Sequence, residues 1–145
     1  MTVVGEGAER ARLESLAAEL QLRSVHFAGR APHAKMPELY EASDIYLNSP
    51  DIDNMPLSII EAYASGTAVV TTDAGGIPYL VQDEVTGLLV SRGDYLAMAR
   101  AALRLLREPG LAERLTSRAL EECQRYSWEA ARENWLSLYH ELAGV

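Results

Sequence analysis

The stretch DIYLNSPDIDNMPLSIIEAYASGTAVVTT, residues 44–72, determines the fold class of this chain. It begins with a short β-branched run, continues into a helical pattern over 57–65 and ends in a second β-branched run at 68–72. Two strands joined by a helix in this way are typical of a parallel β-α-β unit. Glu61 lies inside the apolar run of that helix, and a carboxylate at such a position needs an explanation.

The same alternation of strands and helices extends to both sides of this stretch. It predicts an α/β fold, a Rossmann-like three-layer sandwich with a five-stranded parallel sheet and additional C-terminal helices. We expect a single domain over residues 1–145, with an α/β core to residue 91 and a helical part over 92–145. The predicted strands are 2–5, 25–29, 44–48, 68–72 and 87–90, and the predicted helices are 8–21, 34–42, 57–65, 77–82, 93–107, 110–125 and 128–142.

The composition restricts the classes of partner and of site. A net charge of -8 with only 13 lysines and arginines argues against a nucleic-acid or anionic-membrane surface. The single cysteine, Cys123, excludes an internal disulfide and a cysteine-based zinc site, and no His, Asp and Glu spacing indicates a metal. No apolar run reaches the length of a membrane span. We therefore expect no metal, no nucleic-acid partner, no membrane span and a cytoplasmic location.

The loop that follows the third predicted strand carries the main candidate site. Ligands of parallel α/β sheets bind at the carboxyl ends of the strands. Pro56 suits the first residue of the next helix, so that the N–H groups of Leu57 and Ser58 point out of the helix start and form an anion site. Asp53 then lies at the helix mouth and Glu61 about 7 Å along the axis from the helix start. Two carboxylates around an anion site suit a diphosphate that has hydroxyl-rich sugars on both sides.

A plainer interpretation of these two acids remains open at this point. Asp53 can be an ordinary helix-start acid, and Glu61 can be a core-edge residue paired with an arginine such as Arg30. The stretch TTDAGGIPYLV favours the ligand site, because Gly75 and Gly76 allow a ligand to approach the backbone closely beside the neighbouring strand end.

The segments GEGAERARLESLAAELQL, VHFAGR, MPELYEASDIYLNSP, DNMPLSIIEAYASGTAVVTTDAGGIPYLV and TGLLV carry a resemblance to a known family. In this order they resemble the C-terminal, donor-binding half of GT-B glycosyltransferases, in particular the retaining group 1 enzymes that use nucleotide sugars. That family has two acids separated by seven residues. The resemblance implies that Asp53 is the catalytic-site acid that contacts the hydroxyls of the transferred sugar, and that Glu61 binds the nucleotide ribose. The candidate donor-binding residues are Glu61, Asn54, Met55, Leu57, Ser58, Gly75, Gly76 and Arg30.

The resemblance also implies a function. The chain looks like the part of a hexosyltransferase-type enzyme that binds a nucleotide-diphosphate sugar, such as a UDP- or GDP-sugar, for transfer to an acceptor with retention. The nucleotide sugar is a substrate, and no separate cofactor is implied. The alternative is a non-catalytic module that binds nucleotide sugar or phosphate, or an inactive truncated remnant.

The chain departs from the family pattern in several places. Asp53 and Tyr79 stand where the family commonly has glutamate, and Asn54 stands where it has glycine. The N-terminal acceptor domain and the first strand and helix of the donor domain, whose Arg and Lys hold the phosphates, do not occur in this sequence. We therefore expect weak or no activity from the chain alone, and either an N-terminal acceptor-domain partner or a homodimer.

The absence of that first strand bears on the expected sheet. In the doubly wound order 3-2-1-4-5-6 the absent strand is central, and two interior edges would be left unpaired without it. Pairing of the strand at 2–5 with the strand at 44–48 gives the order 2-1-3-4-5, which is the expected arrangement. The alternative is that a swapped or partner strand fills the gap.

Overall fold

The computed structural model describes residues 1–144, which form five strands and seven α-helices. Every predicted strand and helix is present, and the bounds differ from the predicted ones by at most two residues. Two short 3₁₀ helices cover His33–Lys35 and Gln124–Tyr126. The strands are β1 (Thr2–Val4), β2 (His26–Gly29), β3 (Ile45–Asn48), β4 (Ala68–Thr72) and β5 (Leu88–Val90). The helices are α1 (Arg10–Glu19), α2 (Met36–Glu41), α3 (Leu57–Ala64), α4 (Ile77–Leu80), α5 (Tyr95–Arg107), α6 (Leu111–Cys123) and α7 (Trp128–Ala143).

The chain divides into two compact units, and the boundary lies between Glu38 and Leu39. The first unit contains β1, α1 and β2, and the second contains β3, β4, β5 and the helices from α3 onward. The sequence places its main boundary elsewhere, between the α/β core and the helical part at residue 91. The prediction of a single domain over residues 1–145 stays a prediction.

The first unit has little buried apolar surface. Its two strands pair in parallel, and the register shifts between Val3 and Val4. Helix α1 has no buried residue. Its leucines Leu13 and Leu16 are each 43% exposed, and Leu20, directly after the helix, is 60% exposed. Two short strands and one helix have too little shared surface to enclose a core of their own.

The second unit is built on the parallel sheet β3-β4-β5. Asn48 pairs with Thr71, and Thr72 pairs with Val90, so the three carboxyl ends lie along one edge of this sheet. Every residue of β4 is buried. Because successive side chains of a strand point to opposite faces, both faces of β4 are covered and this sheet is the inner layer of a sandwich. The α/β, Rossmann-like class predicted from the sequence is confirmed.

One part of the core of the second unit lies between the sheet and the helices α5 and α6, and another part includes Ile59 and Tyr63 of α3. Val69 and Val81 are also fully buried, and both lie close to Gly87. The buried apolar residues that form the α5 and α6 side of the core are Ala68, Val70, Leu88, Ala101, Leu105, Leu111 and Leu115. This packing fixes the strand ends from which the candidate site is built.

The expected closure of all five strands into one sheet does not form. Within residues 1–144, β1 pairs with β2 alone and β3 pairs with β4 alone, so the predicted order 2-1-3-4-5 is corrected to two parallel sheets, β1-β2 and β3-β4-β5. A physical reason lies in β1, which has three paired residues and an irregular register. Such a short and irregular strand offers few hydrogen bonds to a second neighbour.

Candidate functional site

The loop over residues 49–56 connects the carboxyl end of β3 to the start of α3, and it is anchored by the two neighbouring strand ends. Thr72, the last residue of β4, donates a hydrogen bond from Oγ1 to the carbonyl oxygen of Pro50 at 2.6 Å. Arg92, which follows β5, donates from Nη1 to the carbonyl oxygen of Asp51 at 3.3 Å. Residues at the ends of β4 and β5 therefore hold the backbone of this loop in place.

A third contact holds the backbone of Asp53 itself. The amide of Gly76 donates to the carbonyl oxygen of Asp53 at 3.0 Å. A Cβ on Gly75 would overlap the Asp53 carbonyl, and a Cβ on Gly76 would overlap the Asn54 carbonyl. Gly75 also has a φ of +51°, which favours glycine. The backbone of Asp53 and Asn54 therefore occupies the space that the two glycines leave free. The predicted contact of Gly75 and Gly76 with a ligand stays a prediction.

Helix α3 begins at Leu57, and Pro56 is its N-cap rather than its first residue. This corrects the expected position of Pro56 by one residue. The reason is the backbone angle, since Pro56 has ψ 112° and lies outside the helical region. Proline has no side-chain group that could cap the helix, and the amides of Leu57 and Ser58 precede the first i to i-4 hydrogen bonds. The start of α3 is thus an opening lined by backbone N–H groups.

Glu61 accepts a hydrogen bond from a buried phenol. The hydroxyl of Tyr40 lies 3.1 Å from Oε2 of Glu61 and 3.2 Å from the carbonyl oxygen of Ser58. The Tyr40 ring packs edge to face on Tyr46, with ring centroids 5.7 Å apart. The carboxylate in the apolar run of α3 therefore has a specific hydrogen-bonding partner, which explains how it is accommodated there.

Both acids act on the same side chain, Tyr46. Burial raises the pKa of Tyr46 above its ordinary value, the side-chain hydrogen bond with Ser58 lowers it, and the charges of Glu61 and Asp53 raise it further. Burial likewise raises the pKa of Tyr40, with contributions from Tyr46 and Glu61. Burial is thus the main cause that keeps the Tyr46 hydroxyl protonated, and the charges of the two acids act in the same direction.

Two open cavities include residues of this loop in their walls. One, of about 450 Å³, is polar and includes Asp51 and Arg92 in its wall. The other, of about 480 Å³, is mostly apolar and includes Met55, Leu57 and Trp135. The start of α3 is therefore accessible from outside, as a ligand site requires.

The structure places eight of the nine candidate residues in the second unit. Asp53, Asn54 and Met55 belong to the loop after β3, and the others lie on α3 or on the loop after β4. Arg30 lies in the first unit, exposed and directly after β2. The eight residues brought together in the second unit are Asp53, Asn54, Met55, Leu57, Ser58, Glu61, Gly75 and Gly76.

Sequence reasoning missed the two tyrosines and the two anchors of the loop. Tyr40 and Tyr46 lie on the helix and the strand that immediately precede the loop, and a buried tyrosine hydroxyl normally has a hydrogen-bonding partner. Glu61, an acid in an apolar helix, could have been predicted as the hydrogen-bonding partner of such a tyrosine. Thr72 and Arg92 had no comparable signal, because their acceptors are backbone carbonyls whose position only the fold determines.

In residues 1–144, no group of three or more His, Cys, Asp and Glu side chains is placed to hold a metal ion. Of the helices in that range, none is both long enough and apolar enough to cross a membrane. Cys123 is a free, half-buried thiol whose pKa is raised by burial, and it contacts the carbonyl oxygen of Ile60 at 3.7 Å.

The chain is similar in sequence and in structure to known glycosyltransferases. The family model described as glycosyl transferases group 1 matches residues 1–122. D-inositol 3-phosphate glycosyltransferase from Corynebacterium urealyticum is 34% identical over 140 residues, which covers 95% of this chain and 33% of the relative. Sucrose-phosphate synthase from Thermosynechococcus elongatus has a TM-score of 0.86 and 34% identity over 99% of this chain and 38% of that chain.

A further solved relative is a mutant of TarM from S. aureus, in complex with Fondaparinux, alpha-GlcNAc-glycerol and UDP, with a TM-score of 0.84 and 26% identity. It is matched over 95% of this chain and 28% of its own. The chain thus spans about a third of the length of the curated relatives that it matches. It belongs to the glycosyl transferases group 1 family, as the resemblance of its central motif predicts.

Proposed function

We propose that this chain is the donor-binding part of a glycosyltransferase, which binds a nucleotide-diphosphate sugar for transfer of the sugar to an acceptor with retention. The observation that supports the proposal is the start of α3: the loop that bears Asp53 precedes it and is held by Gly76, and Glu61 lies in the same helix beside the Tyr40 hydroxyl. We propose further that both units, including Arg30, belong to one donor-binding domain.

Each group has a defined chemical task in this proposal. The amides of Leu57 and Ser58, at the positive end of the α3 dipole, bind the diphosphate and stabilise the charge that grows on it as the bond to the sugar breaks. Asp53 accepts hydrogen bonds from hydroxyls of the transferred sugar, and Glu61 accepts them from the ribose. In this proposal, Asn54, Met55, Gly75 and Gly76 form the remaining wall of the donor site.

We propose the class of donor, a nucleotide-diphosphate sugar, without assigning its base or its sugar. UDP was present in the complex of the TarM mutant, a relative with 26% identity. A UDP-sugar and a GDP-sugar are therefore the first ligands to test, and neither a metal nor a separate organic cofactor is part of the proposal. The free thiol of Cys123 is compatible with the proposed cytoplasmic location.

The binding proposal is tested by calorimetric titration of the protein with UDP-glucose and GDP-mannose. We expect Asp53→Ala and Glu61→Ala each to weaken binding of the accepted donor by about 10-fold or more, because each removes charge-assisted hydrogen bonds of about 1.5 to 3 kcal/mol. Asp44→Ala is the matched control, since it removes an exposed acid at the amino end of β3, opposite to the end that leads into the loop. Equal binding by all four proteins would contradict the proposal.

Catalysis needs a separate test, because a non-catalytic nucleotide-sugar module would bind donor equally well. The chain spans about a third of its relatives' length, and we propose that an acceptor-binding part of the kind found in the family completes the enzyme. Transfer is assayed with and without a candidate acceptor domain, and the anomeric configuration of the product is read by NMR. Donor binding without transfer in the completed protein would favour the non-catalytic module.

The sheet has a place for such a contribution. Within residues 1–144, β3 hydrogen-bonds to a neighbouring strand along one edge only. An unpaired strand edge is a template for a further strand. We propose that this edge is completed by a strand from another segment of the protein or from a partner, which was the alternative to closure of the five strands.

A further inference from the structure

Tyr40 connects the two halves of the candidate site. Its hydroxyl lies 3.1 Å from Oε2 of Glu61 and 3.2 Å from the carbonyl oxygen of Ser58, so that one phenolic proton is shared between two acceptors on α3. Ser58 belongs to the open first turn of the helix, and Glu61 lies one turn further in. The phenol therefore couples the orientation of the carboxylate to the helix start.

The Tyr40 side chain is itself fixed. It is 5% exposed, and its ring packs edge to face on Tyr46 with an interplanar angle of 71°. The hydroxyl of buried Thr67 donates to the Tyr40 carbonyl oxygen at 3.1 Å, which holds the backbone at the end of α2. A donor held in this way has few alternative positions, and the carboxylate that it contacts shares that restriction.

Fixing the carboxylate has a consequence for ligand binding. A glutamate side chain on a helix samples several rotamers, and ordering it on binding costs free energy. An ionised carboxylate has roughly four lone-pair sites, so it can keep the Tyr40 bond and still accept from the vicinal hydroxyls of a ribose. Burial raises the pKa of Tyr40, so the hydroxyl remains a donor well above neutral pH.

We propose that Tyr40 is a positioning residue, whose hydroxyl holds the Glu61 carboxylate in the orientation that binds the ribose hydroxyls of the donor. The inference rests on the proposed function and adds a residue to it. Tyr40 touches no reacting atom in this proposal, and it acts through Glu61.

The test compares Tyr40→Phe with the unchanged protein in titrations with UDP and GDP and with their 2′,3′-dideoxy analogues. Phenylalanine keeps the ring packing and removes only the hydroxyl. We expect binding of the ribose nucleotide to weaken about five- to tenfold, and binding of the dideoxy analogue to change less than about twofold. In a Glu61→Ala background, Tyr40→Phe should have no further effect on binding of the ribose nucleotide.

Tyr63→Phe is the matched control, because it removes a buried tyrosine hydroxyl whose recorded bond is to Thr86 at 2.9 Å, outside the loop and the helix start. It should leave all four affinities unchanged. If Tyr40→Phe weakens ribose and dideoxy ligands equally, or neither, the positioning role is overturned even though Glu61→Ala still weakens binding. If the unchanged protein binds neither UDP nor GDP, the proposed function itself fails, and the role of Tyr40 fails with it.

Discussion

At the scale of single residues, Gly75 and Gly76 determine where Asp53 lies. The segment that carries them packs so closely on the Asp53–Asn54 backbone that a Cβ on either glycine would overlap a carbonyl group. The sequence correctly marks this position as one of close approach. It cannot say which backbone approaches, because the partner lies some twenty residues away in sequence and on another loop.

Gly76→Ala should displace the loop that carries Asp53 and weaken donor binding by about 10-fold, since an overlapping methyl group forces a backbone shift. Overpacking of this kind also costs about 1 to 3 kcal/mol of stability. Calorimetric titration with the accepted nucleotide sugar and urea denaturation measure the two effects. Gly7→Ala is the control, because nothing lies within 4 Å of its Cβ position and its φ is not positive. Unchanged affinity in Gly76→Ala would show that the contact does not position the loop.

At the scale of elements, helix α3 serves both the site and the core. Its first turn opens toward the proposed ligand, whereas Ile59, Ala62 and Tyr63 are buried. The hydroxyl of Tyr63 donates to Oγ1 of Thr86 at 2.9 Å, and the same oxygen accepts from the amide of Gln82 at 3.0 Å. The helix is thereby tied to the turn that precedes β5. Its periodicity predicts the helix, but not this tie.

Burial of the Tyr63 hydroxyl should make stability fall at high pH. Burial is the main cause that raises the pKa of Tyr63 from 10.0 to about 12. Between those values the folded protein keeps a proton that the unfolded chain has lost, so the contribution is complete below about pH 10 and disappears as pH approaches about 12. It amounts to roughly 2 to 3 kcal/mol.

Urea denaturation at a series of pH values over this interval measures the effect. Tyr63→Phe should be about 1 kcal/mol less stable at neutral pH, because it loses the bond to Thr86, and its stability should fall less steeply above pH 10. Parallel pH profiles for the two proteins would contradict the assignment.

At the scale of the whole molecule, the two units differ in how they are stabilised. In the second unit, β4 is buried along its full length and is covered by α3, α5 and α6. In the first unit, α1 contributes no buried residue. Local stability follows buried apolar contact, so the two units should open with different free energies.

Hydrogen exchange followed by NMR or mass spectrometry tests this difference. We expect the amides of β4 to be the slowest, with protection close to the global free energy of unfolding, and those of α1 to exchange much faster. The exchange is measured under conditions in which the protein stays folded. Urea denaturation gives the global free energy of unfolding for comparison. Equal protection of α1 and β4 would indicate that the exposed leucines of α1 are covered by a further surface.

The sequence by itself determined the α/β class, the bounds of the strands and helices to within two residues, and the family. It did so because periodicity, turn residues and the spacing of Asp53 and Glu61 are local properties of the chain. Tertiary structure decided the rest. It left β1 and β3 unpaired with each other, and it paired Gly76 with Asp53 and Tyr40 with Glu61. These contacts join residues distant in sequence, and their geometry depends on how the elements pack, which no local pattern encodes.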